Sequence, residues 1–383
     1  MFWIKTLLVS MAALLIAWSS HSLTTISTTP TPTVPSVIIT ASNADHVIEI
    51  GRIWLRNVEQ IAWLSGGKTL ALASPSGAWL YQVDRPQLPP YLLANDSHGI
   101  TSVAASPDGT VLATGGADLI VKLWDTKTDK QIGYLFGMTG PQDFVSTFDI
   151  AFSPDGRYVI AADPFYSKIL ALWEVSTGKV QFTYDASGER YLFSPDSTTI
   201  AHFYGGCCVP MDLLTVPTAT KKPIPAIDTL SISAAAYSHN GAQLAIADAQ
   251  DSTLRLLDMH TGAVLGISKG HAHPAYNLAF SPDDTLLASG GANNTVLLWD
   301  LTGKNRSLAL SNRASVWPSD FVFNVDGSLL AIGNTDSTVG LWNTQTGKQL
   351  AILVGAGNPN FNSDGSMLAT ISQGTVRLWA VGH

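Results

Sequence analysis

Residues 106–125 read SPDGTVLATGGADLIVKLWD, and residues 281–300 read SPDDTLLASGGANNTVLLWD. Thirteen of the twenty positions are identical, although the stretches lie 175 residues apart. A chain that writes one sentence twice is built from repeats, and the period has to be found before any other feature. The tetrapeptide SPDG, or a worn form of it, begins at Ser65, Ser106, Ser153, Ser194, Ser238, Ser281, Asn324 and Asn362, at spacings of 38 to 47 residues. An apolar and small run follows each copy (TVLATGG, TTIAHFY, TLLASGG), then an alternating stretch, most often with an aromatic near its end (VKLWDT, VLLWDL, VGLWNT). A TGK-type turn often comes next, as in STGK at 176–179 and QTGK at 345–348.

Apolar residues that alternate over four to seven positions carry the period of a strand. Pro-Asp-Gly makes a tight turn: Pro presets φ, Asp hydrogen-bonds nearby backbone, and Gly takes a positive φ. Thr-Gly-Lys does the same with Gly in the left-handed position. Each unit is therefore expected to form four antiparallel strands, a to d. One such sheet cannot bury both faces, but units packed face to face around an axis can.

This pattern resembles the WD40-repeat family of β-propellers over about residues 46–381. Gly270-His271 with Trp299-Asp300, and Trp124-Asp125, match the family best, and the period falls within the family's range of about 40–45. The resemblance implies an all-β propeller. The chain supplies eight a–b–c triplets between Val58 and Val381. Fourth strands are expected near 88–94, 130–136, 179–184, 221–227, 263–268, 304–310 and 348–353, which leaves the last triplet without one. HVIEIGRIWL (His46–Leu55) reads as an unpaired strand that would complete that triplet, close the ring and remove an exposed edge. The reading is eight blades with an N-terminal closing strand; seven blades, with one degenerate unit, is the alternative.

The family often carries a His–Ser/Thr–Asp–Trp hydrogen-bond network. One unit keeps His271, Ser289 and Trp299 but has Asn293 for Asp. Another keeps Thr114, Asp118 and Trp124 but has Asp96 at the His position. Asp143 and Asp228 replace the same His elsewhere, and Leu214 and Leu257 replace the strand-c Trp. Most blades are thus expected to rely on packing, with the displaced aspartates bonding local backbone.

No catalytic set stands out from the repeat. GISKG (266–270) matches G-x-S-x-G with Ser268 in the nucleophile slot, but that motif needs a strand–turn–helix elbow. HAH (271–273) holds His271, already explained by the repeat, and a lone His273. GGKT (66–69) lacks the upstream glycine of a phosphate loop. No metal or cofactor is expected. The family's b–c and d–a connections would gather on one face around a central channel. Phe144, Phe165, Tyr166, His273 and Trp317 fall there and are the candidate contacts for a protein or peptide partner, since interface hot spots favour aromatics. A propeller enzyme or small-ligand binder using the channel is the alternative.

Charged residues make up 13% and the net charge is −8, with no basic cluster beyond Lys221–Lys222, so nucleic acid is excluded as a partner. MFWIKTLLVSMAALLIAWSSHS has one Lys, an uncharged run from Thr6 to Trp18 and small residues after it. That is the form of a signal peptide, since a bilayer span needs about 20 apolar residues; an uncleaved anchor is the other reading. The expected organisation is residues 1–22 as signal or anchor, 23–45 as a Ser/Thr/Pro-rich linker and 46–383 as propeller, with the protein exported or membrane-tethered and monomeric. The leader and the degenerate repeats resemble bacterial extracytoplasmic WD40 proteins. Cys207 and Cys208 are adjacent in GGCCVP and stand either as free thiols or as a strained vicinal disulfide.

Overall fold

Every copy of the repeated tetrapeptide closes a hairpin. In the second unit Ser106 Oγ donates to Asp108 Oδ1 (2.6 Å) and accepts from the Val111 amide (2.9 Å), while Asp108 Oδ1 accepts from the Thr110 amide (3.0 Å). The Ser106 hydroxyl, followed by the Thr110 amide, holds the Asp108 carboxyl below its usual range. Ser153–Asp155, Ser194–Asp196 and Ser281–Asp283 repeat the Ser–Asp bond. Two units put Ser197 (φ 61°) and Asp284 (φ 58°) in the glycine slot. A left-handed non-glycine residue costs about 1 kcal/mol or more. Each uses its side chain to offset that cost. Ser197 Oγ accepts from the Asp155 amide (3.1 Å) and Asp284 accepts from the His239 and Asn240 amides (2.6 and 3.0 Å). All three bonds stitch a turn to the turn of the preceding sheet.

The computed structural model describes residues 36–95, 99–116, 118–136, 149–163, 169–185, 190–203, 211–291, 295–303, 307–311 and 318–382. Among them are seven four-stranded sheets and one of three strands, all antiparallel between neighbours, and no α-helix. No described helix is long and apolar enough to cross a membrane. The leader and most of the linker expected at 1–45, with Asp96, Asp143, Phe144, Phe165, Tyr166, Cys207, Cys208, Asn293 and Trp317, lie outside the described residues.

Eight buried apolar clusters occupy the eight junctions between successive sheets. The one that joins last to first packs Met367, Ala369 and Val376 on Leu70 and Leu72. A fully buried leucine such as Leu70 contributes about 2 kcal/mol. Eight sheets joined at eight junctions make a closed ring. The innermost strands are Gln60–Trp63, Ile100–Ala105, Asp149–Phe152, Arg190–Phe193, Ile232–Tyr237, Ala275–Phe280, Pro318–Phe323 and Asn360–Phe361.

The N-terminal strand closes the ring as expected. Val47–Ile53 runs antiparallel to Thr375–Val381 and supplies the outer strand of the eighth sheet. Arg52 and Arg377 face each other across this pair, and Glu49 bridges them: Arg52 Nε donates to Oε1 (2.8 Å) and Arg377 Nη1 to Oε2 (2.6 Å). The Arg52 contact leads in holding the Glu49 carboxyl below its usual range.

One expectation fails. The strand foreseen at 221–227 is absent, and the fourth sheet stops at three strands. A single bridge, Leu214 to Lys221, and the Lys222 amide on the Leu213 carbonyl (2.7 Å) mark where it would start. Pro223 and Pro225 follow and cannot donate to a ladder. Ile224 and Ile227 are nevertheless buried, so the segment still covers the sheet with its side chains. Asp228, expected to bond local backbone, lies exposed in the turn after it.

Candidate functional site

The central opening is built by one position per sheet. Seven sheets place a residue four before the turn motif: Ser102, Asp149, Arg190, Ala234, Asn277, Asp320 and Asn358. In the first sheet the hairpin starts one residue early, at Leu64, and the equivalent is Gln60. Gln60, Arg190, Asn277, Asp320 and Asn358 line one cavity of about 460 Å3 together with Glu59, Ile61, Pro359, Asn360 and Ile371. These residues come from sheets on different sides of the ring, so the cavity lies on its axis. It opens where the innermost strands begin.

The charged residues there come from different sheets. Arg190 leaves the fourth sheet and its Nη1 donates to the Tyr276 carbonyl of the sixth (3.0 Å). Ala234, the equivalent residue of the intervening sheet, is buried and too short to obstruct that path. Burial pushes the Asp149 and Asp320 carboxyls up, and the Arg190 charge partly opposes this at both. Both residues remain open to solvent at the mouth, while the protein around them removes part of the water from their carboxyls. Glu59 is also pushed up by burial. Tyr191 Oη is buried with no hydrogen-bond partner, and its hydroxyl is raised well above its usual value by burial and by the Asp149 charge. Gln60 Oε1 accepts from Ser102 Oγ (2.8 Å) and the Val103 amide (2.9 Å), which ties the first sheet to the second at this level.

The opposite end differs. A second cavity of about 490 Å3 is lined by Leu192, Ala236, Ala279 and Val322, by Pro154, Pro195 and Pro282 of the turns, and by aromatics including Tyr237. Burial raises the Tyr237 hydroxyl to about 12, partly opposed by its bond to Thr199 Oγ1 (3.3 Å).

A profile of the family described as WD domain, G-beta repeat matches residues 91–125 and 262–300, which contain Trp124-Asp125 and Trp299-Asp300. The fold is a WD40-type β-propeller of eight blades. WD repeat-containing protein SL1-17 of Schistosoma mansoni is 29% identical over 193 residues, covering 50% of this chain and 61% of that protein. Serine-threonine kinase receptor-associated protein of Gallus gallus is 26% identical over 217 residues, 55% of this chain and 58% of that one. Autophagy-related protein 16 of Arabidopsis thaliana is 26% identical over 230 residues, 55% of this chain and 41% of that one. These matches therefore span less than two thirds of the relatives' own lengths.

The sixth propeller blade carries the expected network. His271 Nε2 meets Ser289 Oγ (2.6 Å), and Trp299 Nε1 donates to the same oxygen (2.7 Å). Burial holds the His271 ring below its usual pKa. Gly270 is needed beside it, because a Cβ there would come within 2.8 Å of the Trp299 ring. In the second blade Trp124 Nε1 donates to Thr114 Oγ1 (2.9 Å), whereas Asp118 is engaged by Lys122 Nζ (2.9 Å) and the Ile120 amide (3.1 Å). The eighth blade has a pair the sequence reading passed over, Trp379 Nε1 to Thr370 Oγ1 (2.9 Å). In the seventh blade Ile332 takes the Ser289 position, and the buried Trp342 Nε1 has no partner. Leu214 and Leu257 are fully buried where tryptophan is usual.

Of the expected partner contacts only His273 is described; it is exposed, just before the sixth innermost strand, on the side of the charged mouth. Ser268 ends an outer strand paired to Leu254, which is no nucleophile elbow. His271 is buried on Ser289 and His273 is exposed, so the two do not converge. Glu59, Asp149, Arg190 and Asp320 were missed by sequence reasoning. For Asp149, Arg190 and Asp320 a partial signal existed, since the residue four before each turn motif changes from unit to unit while the motif itself persists; Glu59 lies outside that position.

Proposed function

We propose that this propeller is a non-catalytic platform that binds a protein or peptide partner on the face where the charged mouth opens, and that it works outside the cytoplasm. The single observation that carries the binding reading is the contrast between repeated turns and a varied mouth. The turn residues recur because the blade needs them. Gln60, Asp149, Arg190, Asn277, Asp320 and Asn358 occupy equivalent places with different chemistry, and blade packing does not ask for that. The relatives support a binding role: one is named for association with a serine-threonine kinase receptor. Fold analogy carries no more than that. The export reading is supported by the apolar run Thr6–Trp18 and the uncharged linker after it.

Partner capture from the native source tests the platform. Wild type and Ser281→Ala, altered at the turn end, should recover the same partner, and Arg190→Met with Asp320→Asn should lose it. Equal recovery by all three contradicts the reading. The mass of the mature chain tests export, with cleavage near Ser19–Ser22 expected. The channel's polar cavity also favours a second reading, a small-ligand site at the same mouth.

A further inference from the structure

We propose that the mouth of the channel binds small zwitterions of the α-amino acid or short-peptide class, the ammonium between Glu59 and Asp320 and the carboxylate at Arg190. The inference rests on the reading of this mouth as the binding face and gives that face a ligand chemistry.

Opposite charges line one cavity without collapsing onto each other. Arg190 is held toward the sixth blade by the Tyr276 carbonyl (3.0 Å). Asp320 projects from the seventh blade, and Glu59 from the first. The eighth blade lies between those two and contributes only Asn358 and Asn360 as polar lining. Among the described residues no ion pair joins Arg190 to either carboxylate. A guanidinium has five N–H donors, and the bond to Tyr276 uses one. The cavity therefore holds opposite charges on separate blades that are not paired with each other. A cation alone would meet Arg190 and a simple anion would meet two carboxylates, whereas a ligand with both ends satisfies both walls. Charge-assisted bonds from a guanidinium to a carboxylate are among the stronger polar contacts, and a preset site loses little in ordering. The volume, about 460 Å3, takes an amino acid or a dipeptide. Ile61 and Ile371 in the same lining offer an apolar surface to a side chain.

The test is calorimetric titration of the full chain with L-arginine, with agmatine, which lacks the carboxylate, and with N-acetyl-L-arginine, which lacks the ammonium. Each truncated ligand should bind about tenfold more weakly than L-arginine. This comparison uses wild-type protein, so it does not depend on a variant folding. Arg190→Met should then bring L-arginine down to the affinity of agmatine, and Asp320→Asn should bring it toward that of N-acetyl-L-arginine. Agmatine binding as tightly as L-arginine would overturn the proposal, since Arg190 would have no part. So would absence of binding by L-arginine at about 10 mM, well beyond a useful affinity. If partner capture is lost in the mouth variants while no zwitterion binds, this inference fails and the platform stands. If capture is also indifferent to the mouth, both fail.

Discussion

Two residues along one strand separate the two ends of the central opening. Arg190 and Leu192 share a strand, as do Asn277 and Ala279, and Asp320 and Val322. At about 3.3 Å per residue the wall passes from charged to apolar within about 7 Å. The apolar end is written by the repeat: Pro154, Pro195 and Pro282 belong to the same turn motif and recur with it. The charged end is not, since its ring reads Gln, Ser, Asp, Arg, Ala, Asn, Asp, Asn around the blades. Regularity marks what the blade needs, and departure from it marks where this propeller has been given something to do.

The largest effect should come from exchanging the characters of the two ends. Ala279→Asp places an unpaired charge among Phe280, Phe321 and Val322 and should cost about 3 kcal/mol in urea unfolding. Asn277→Asp, two residues away in the polar ring, should cost less than about 1 kcal/mol. Similar costs at both positions would erase the distinction.

Removing the cation at the mouth comes next. Asp149 and Asp320 are raised by burial and partly relieved by Arg190. A carboxyl whose folded pKa is raised favours the native state below its unfolded pKa, and that stability is lost as pH rises through the folded value. Arg190→Met raises both further, so it should lose about 1 kcal/mol near neutral pH and converge on wild type near about pH 4. A loss independent of pH would mean that Arg190 acts by packing alone.

At the turn end Ser281→Ala removes the hydroxyl that serves the Leu286 amide (2.9 Å) and Asp283 (2.6 Å). About 1 kcal/mol should be lost, read as a drop of about 2 °C in thermal unfolding, with no change in partner capture. The smallest effect belongs to Glu49→Gln on the closing strand, a few tenths of a kcal/mol for a partly exposed ion pair on an edge strand. The Glu49 pKa is lowered, chiefly by Arg52, so its contribution is present above the usual glutamate range and lost as pH falls through the depressed value. Variant and parent should therefore agree in acid and differ at neutral pH.

How far the sequence could be read follows the same division. Blade number, hairpin turns and the closing strand were legible because Ser106, Asp108 and their equivalents do one local job that depends on the next five residues. The His271–Ser289–Trp299 network was legible for the same reason. The missing strand of the fourth blade was less so: KKPIPAID stands where the other units place a fourth strand, and Pro223 and Pro225 argued against it. At the mouth the variation was visible but its meaning was not, because that depends on residues brought together from around the ring, Arg190 with Asp149 and Asp320. Attention to aromatics in loops passed over a charged position inside the strands.

The mouth exists only if the ring is closed, and closure rests on Val47–Ile53 as the outer strand of the eighth blade. Amide hydrogen exchange on the intact chain tests this most directly. Amides of Val47–Ile53 that bond to Thr375–Val381 should exchange as slowly as those of Leu368–Ser372, its neighbours across the same blade. Exchange of Val47–Ile53 at the rate of an unstructured peptide, with Leu368–Ser372 still protected, would contradict the closed ring.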